Sequence, residues 1–217
     1  MAVRSKKPAL VAIEAPPKPA AIPKDDRARF PANEYVFVAG RRTFMLAFAA
    51  SKTSLGWLDA GALQTLDIPR YQGIGIHPDG TRALFAANRT VCEVVLATGV
   101  VTKLIDLGGG WDACGCGYGP GETAVVATGD RVVLLRREGD TLVELQQLPV
   151  HGSGLSVYRD GTLAVCTTYK HQVIAFTITD TALTQRAVFR CKTATSYAVD
   201  DRIFVTDYTK TFELVNV

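Results

Sequence analysis

Five cysteines are the first side chains in this sequence whose chemistry can be judged from their spacing: Cys92, Cys114, Cys116, Cys166 and Cys191. No Cys-x-x-Cys pair is present, and the odd count fits reduced thiols in a cytoplasmic compartment better than a disulfide framework. Cys114 and Cys116 are two residues apart, so on a β-strand they would share one face and could bind zinc with His151 or His171. Because the flanking glycines explain small residues there equally well, we expect no metal and no cofactor.

Acid–base chemistry has few candidates. General acid–base catalysis needs several carboxylates or histidines at one place, and Asp112, Glu34 and His151 are the side chains to suspect if the segments that carry them converge. The glycine-rich segment 115–121 has no helix pattern after it, so it offers no helix N-terminus to a phosphate. His77 lies in a Pro-Asp-Gly turn, where we expect it to face solvent. No catalytic residue is therefore assigned.

A repeat along the chain predicts the elements that must position these residues. Turn-forming residues recur about every 40 residues, the unit length of a propeller blade, at Gly40, Gly80, Gly121, Gly161 and Asp201. Within a unit, short runs rich in β-branched or aromatic residues alternate with turns, as in 73–76, 83–87, 91–96 and 100–107. A four-stranded unit needs a neighbour on each side to bury both faces. The sequence thus predicts an all-β, five-bladed β-propeller over residues 34–217.

The second unit also carries a recognisable pattern. The segments His77-Pro78-Asp79-Gly80-Thr81-Arg82, Ala83-Leu84-Phe85-Ala86-Ala87-Asn88 and Val94-Val95-Leu96-Ala97-Thr98-Gly99 resemble the repeat of WD40-like and YVTN-type β-propellers. The Gly-His start of WD40 repeats is missing, and only Trp57-Leu58-Asp59 matches their Trp-Asp ending. The resemblance implies the fold and leaves the function open, because propellers include lectins, hydrolases, oxidoreductases and bare scaffolds.

Five-bladed glycosidases resemble this architecture and place three acids on inner strands around the channel. The corresponding positions here hold Gln72, Asp112, Ser153 and Thr195, with Glu34 near the equivalent place in the first unit. One acid, or two, falls short of that constellation. Hydrolysis is therefore the weaker reading.

The first 33 residues differ in composition from the rest of the chain. They hold six of the ten prolines and none of the 19 glycines, with seven basic and three acidic residues. This composition predicts a basic, proline-rich tail and linker over 1–33. With a net charge of +3 and no apolar run near the length of a membrane span, we expect a cytoplasmic protein that does not bind membranes.

The tail also answers a problem of ring closure. The last repeat unit offers three strands, at 194–199, 202–207 and 211–217, and an unfilled blade would expose an apolar edge. Segment 8–14 holds the spare apolar residues, so we predict that it forms the outer strand of the last blade. The alternative is a disordered tail, with the edge covered by a partner or a second copy.

A charge pattern stands out on one predicted face. The turns between second and third strands all carry a basic residue: Lys52, Arg89, Arg131, Lys170 and Lys210. The links between blades, which lie on the same face, add Arg70, Arg190 and Lys192, against Asp112, Asp130 and Asp207. Tyr71 and Trp111 occupy matching link positions, and Tyr, Trp and Arg are the residues that dominate binding energy at interfaces.

These patterns favour a non-catalytic scaffold or adaptor within a larger assembly. We expect its partner to be a protein or assembly with an acidic surface, nucleic acid being a weaker candidate, and the contacts to involve the basic residues together with Tyr71 and Trp111. The alternative is a small-ligand or carbohydrate site in the central channel, with or without hydrolysis.

Overall fold

The computed structural model describes residues 6–18, 22, 24–30, 35–39, 42–48, 52–69, 73–199, 201–207 and 209–217. In these residues the strands form five antiparallel sheets of four strands each, arranged as a five-bladed β-propeller. The all-β prediction is confirmed. One short helix, α1 (Lys24–Arg27), precedes the first blade. In this described part of the chain no helix has the length and apolarity needed to cross a membrane.

Blades 1 to 4 each follow the order of the chain from the first strand to the last. Blade 1 contains β2 (Tyr35–Ala39), β3 (Arg42–Phe48), β4 (Lys52–Asp59) and β5 (Ala62–Pro69). Blade 2 contains β6 (Gly73–Ile76), β7 (Arg82–Ala87), β8 (Thr90–Val95) and β9 (Val100–Asp106). Blade 3 contains β10 (Ala113–Tyr118), β11 (Thr123–Thr128), β12 (Val132–Glu138) and β13 (Thr141–Leu148). Blade 4 contains β14 (Gly152–Tyr158), β15 (Leu163–Thr168), β16 (Gln172–Ile178) and β17 (Leu183–Arg190).

Blade 5 joins the two ends of the described chain. It contains β18 (Thr193–Val199), β19 (Arg202–Asp207) and β20 (Thr211–Val215), and its outer strand is β1 (Ala9–Ile13). Strand β1 pairs antiparallel with β20 from Ala9 opposite Val215 to Ile13 opposite Thr211. The predicted closing strand is therefore confirmed.

The second strands of blades 2 and 3 are mostly apolar because each buries both faces. In β7, Leu84 and Ala86 pack against blade 3, whereas Ala83 and Phe85 pack against blade 1. The same division recurs in β11, where alternate residues face blades 2 and 4. Side chains of a strand point alternately to its two faces, so a strand packed between two layers carries apolar residues on both faces.

Glycines in the inner strands let neighbouring blades approach closely. A Cβ placed on Gly75 would lie 2.6 Å from the Cα of Gly117, and one on Gly117 would lie 2.6 Å from Cγ2 of Val157. Real Cβ atoms do not come so near, so β6 and β10 require glycine at these points of contact. The small residues expected around the central axis thus allow inner strands to pack almost backbone to backbone.

Candidate functional site

The second-to-third-strand turns and the links between blades form one end of the propeller, here called the link face. Backbone hydrogen bonds connect the two kinds of loop. The amide of Gly129 donates to the carbonyl of Asp112 at 3.3 Å, and the amide of Tyr169 donates to the carbonyl of His151 at 3.3 Å. The link face is therefore a connected backbone surface rather than a set of independent loops.

Two large aromatic side chains project from this surface. Trp111 is 57% exposed and Tyr169 is 64% exposed. The indole of Trp111 lies over Gly129, where an added Cβ would come within 2.7 Å of Cε3. His151 lies between them, because its Nδ1 donates to the carbonyl of Gly129 at 3.0 Å and its own carbonyl binds Tyr169. We call Trp111, His151 and Tyr169 the aromatic ridge.

Two of the predicted basic residues hold the loop that carries Trp111. Arg89 donates from Nη1 to the carbonyl of Gly109 at 2.5 Å. Arg131 is half-buried and donates from Nη2 to the carbonyl of Leu107 and from Nη1 to Oε1 of Gln147 at 3.3 Å. Both cations thus fix the glycine-rich link in addition to charging the face.

The other predicted binding residues are placed as follows. Lys170 and Lys210 are exposed on the link face. The side chain of Lys52 and the whole of Arg70 and Tyr71 lie outside the described residues. The structure therefore groups Arg89, Arg131 and Trp111 around one link, and Lys170 around the neighbouring turn.

The acid–base candidates are only partly placed. Asp112 and His151 lie on either side of Gly129. The Gly129 amide donates to the carbonyl of Asp112, and the Gly129 carbonyl accepts from Nδ1 of His151. Glu34 lies outside the described residues. At this end the channel contains a cavity of about 200 Å³ whose lining includes Ser153, Ser156, Thr167 and Thr195. Neither Asp112 nor His151 lines it.

The two closely spaced cysteines do not share a face, which corrects the expectation from their spacing. A β-bulge between Ala113 and Gly115 shifts the register of β10. Cys114 consequently packs toward blade 4 and Cys116 toward blade 2. Burial raises the pKa of Cys114 to about 11 and that of Cys116 to about 12, so both thiols stay protonated at neutral pH. Among the described residues no cluster of His, Cys, Asp and Glu could hold a metal ion.

A buried charged network between blades 2 and 3 was missed by sequence reasoning. Glu93 is 6% exposed; its Oε1 accepts from the Tyr118 hydroxyl at 2.9 Å and pairs with Nη2 of Arg137 at 2.6 Å and Nη1 of Arg82 at 3.6 Å. Arg82 also contacts Nε2 of His77 at 3.1 Å, so His77 is not the solvated turn residue we expected. The signal available in the sequence was a glutamate inside the apolar run of β8.

The opposite end of the channel holds a larger cavity, of about 350 Å³. Its lining includes Tyr118, Tyr158, Arg159 and Asp160 together with the backbone of the inner strands. The Tyr158 hydroxyl donates to Oγ of Ser196 at 2.9 Å, and burial raises the pKa of Tyr158 despite its hydrogen bonding with Ser196 and Ser156. A cavity of this volume is within the range of small-ligand sites.

Comparisons with known proteins identify the fold. No protein-family model matches the chain, and no curated protein matches it in sequence. Among solved structures, a chain of Kuenenia stuttgartiensis hydrazine synthase is similar with a TM-score of 0.56 and 15% identity, over 78% of this chain and 54% of that one. A chain in a crystal structure of the mitotic checkpoint complex is similar with a TM-score of 0.64 and 9% identity, over 84% of this chain and 62% of that one. This chain thus spans less than two thirds of either neighbour, and what it shares with them is the WD40-like β-propeller fold.

Proposed function

We propose that this chain is a non-catalytic scaffold that docks another protein through its link face. The observation that carries the proposal is the aromatic ridge, where Trp111 and Tyr169 expose more than half of their surface on a hydrogen-bonded backbone. Exposed aromatics on a rigid support lose little conformational entropy on binding, which is why they dominate interfaces. The neighbour found in the mitotic checkpoint complex supports the idea that propellers of this fold act within protein assemblies.

The basic residues of the link face support an acidic partner. Arg89, Lys170 and Lys210 are exposed there, and Arg190 ends the outer strand of blade 4 beside them. Such charges steer a partner of opposite sign and fix its orientation more than they add to affinity. We propose a cytoplasmic location for this assembly, because none of the five cysteines forms a disulfide.

The test is a quantitative affinity purification of the tagged protein against a double variant, Trp111→Ala with Tyr169→Ala. We expect the same specific partner to be retained by the wild type and lost from the variant, with its retention falling as salt rises. Val100→Ala with Leu63→Ala is the matched control, because both residues are exposed apolar strand residues away from the link face. A partner retained equally by the ridge variant would refute docking through this face.

A small-ligand site in the channel is the second candidate function. The cavity of about 350 Å³ at the far end of the channel favours it, because Tyr158, Arg159 and Asp160 converge on one concave space. The Asp112→Asn variant distinguishes ligand binding in this cavity from hydrolysis near the link face, where Asp112 lies. We expect it to keep the biological activity, and its loss in a stably folded variant would favour catalysis over a scaffold.

A further inference from the structure

A groove on the link face between blades 3 and 4 has the features of a peptide-binding site. It encloses about 220 Å³, and its apolar lining consists of Pro149, Val150, Ile174 and Val188. Val150 and Ile174 are buried and form the floor, whereas Val188 is 44% exposed on the outer strand. The concave floor together with the exposed Val188 beside it offers a site for an apolar side chain.

Three of the polar side chains around this floor are unpaired among the described residues. Lys170, Gln172 and Gln185 also line the groove. In the part of the chain that the structure describes, neither the Lys170 ammonium nor the two side-chain amides makes a hydrogen bond or an ion pair. Side-chain amides both donate and accept, so they can pair with the N–H and C=O groups of an extended peptide.

The charge around the groove selects the sign of its ligand. Arg190 stands opposite Gln172 in the β16–β17 ladder, so it projects from the same face of the sheet as Gln172. Together with Lys170 it places two cations at the groove, and none of the described residues that line the groove is a carboxylate. Tyr169, the outer residue of the aromatic ridge, adjoins Lys170 in the chain.

We propose that this groove binds an extended acidic segment of a partner protein, with one apolar side chain on the Val150–Ile174 floor and a neighbouring carboxylate beside Lys170 and Arg190. The inference rests on the proposed docking function and names the chemistry of the docked segment. The apolar floor and the two amides favour a peptide over a nucleic acid, because the two cations at the groove would neutralise few phosphates.

Fluorescence polarisation with defined short peptides tests the inference. The probe is a labelled peptide with one leucine flanked by glutamates, compared with a peptide that has lysines instead of glutamates and one that has serine instead of leucine. We expect either change to weaken binding by about tenfold, the effect of about 1.4 kcal/mol. Equal binding of the acidic and basic peptides overturns the proposal.

Variants of the protein locate the binding. Val188→Asp and Lys170→Glu should each weaken binding of the leucine–glutamate peptide by about tenfold, because one charges the apolar wall and the other repels the carboxylates. Val100→Asp and Lys103→Glu are matched controls on the outer strand of blade 2, where both residues are exposed, and should change binding by less than about twofold. Binding that is insensitive to Val188→Asp overturns the proposal.

Two further outcomes separate this inference from the docking function. A labelled single-stranded oligonucleotide that binds in a Lys170-dependent manner, when the acidic peptide does not, overturns the peptide assignment. Retention of a partner that depends on Trp111 and Tyr169 but is unaffected by Val188→Asp refutes the groove and leaves docking on the ridge intact. Loss of the partner with both variants supports both conclusions.

Discussion

Removal of the closing strand should destabilise the whole propeller. Deleting residues 1–14 removes β1, whose five residues pair with β20, and takes Leu10 from the cluster between blades 4 and 5. It also removes the carbonyl of Lys7, which accepts a hydrogen bond from Nδ2 of Asn216 at 3.1 Å. The deletion would leave β20 as an exposed edge, which invites pairing with another chain.

The magnitude follows from these contacts. Ladder hydrogen bonds contribute about 0.5–1.5 kcal/mol each in net terms, and the partly buried Leu10 adds about 1 kcal/mol. Because an outer strand is partly exposed, we expect the deletion to lower the free energy of unfolding by about 3 kcal/mol. This is a large part of the 5–15 kcal/mol by which a domain is typically stable. For a chain of this size, about 3 kcal/mol lowers the melting temperature by roughly 6–12 °C.

Circular dichroism melting with size-exclusion chromatography measures this effect. Deletion of residues 1–6 is the length control, because it ends before the first strand residue, Ala9. A pair of point variants tests the orientation of the strand: Leu10→Asp should destabilise the protein, whereas Val11→Asp, at a position that is 46% exposed, should change stability by about 0.5 kcal/mol or less. An unchanged melting curve for a monomeric protein lacking residues 1–14 would refute the reasoning.

Two more predictions concern the charged groups. Glu93→Gln should lower the free energy of unfolding by about 2–4 kcal/mol, because Arg137 and Arg82 lose their shared buried carboxylate. Urea unfolding measures this change. The control is Glu138→Gln, which breaks the exposed pair with Arg136 and should lower the free energy of unfolding by less than about 1 kcal/mol. Burial opposes ionisation of Asp79, but hydrogen bonds from Thr81 and the contact with His77 outweigh it and lower the Asp79 pKa from 3.8 to about 2. The stabilisation from ionised Asp79 is therefore complete above about pH 4 and is lost as the pH falls toward 2. Asp79→Asn should be less stable than the wild type at neutral pH and should approach the stability of the wild type in acid. Equal differences in urea midpoint between the two proteins at pH 5 and pH 3 would contradict this assignment.

The fold could be predicted from the sequence because each repeat unit is marked by turn residues and by short apolar runs. In blade 2 the expected strands 73–76, 83–87, 91–96 and 100–107 differ from the observed ones by at most one residue at any end. Turn residues and strand periodicity are local properties, so they survive without knowledge of the neighbouring blades. The closing strand could be predicted in a similar way, because the last blade had only three strands in the sequence and segment 8–14 held apolar residues with no other place in the repeat.

The side-chain chemistry could not be predicted to the same extent because it depends on contacts between blades. The pairing of Glu93 with Arg137 joins residues of different repeat units, and no periodic signal connects them. The opposite orientation of Cys114 and Cys116 depends on a bulge, which inserts one residue into the ladder and leaves no mark in the hydrophobic pattern. The position of the Trp111 indole likewise depends on its contact with Gly129, in the turn between β11 and β12.

Exposed loop positions are the ones that can distinguish this propeller from others of its fold. Strand residues such as Leu84, Val126 and Cys166 serve the same purpose in each blade, so they specify the architecture and carry no information about a partner. Trp111 and Tyr169 lie in loops, and the chain exposes both where hydrogen bonds connect the backbone nearby. The proposed docking role depends on these two side chains, because large aromatic residues held at exposed positions of an ordered backbone contribute strongly to binding.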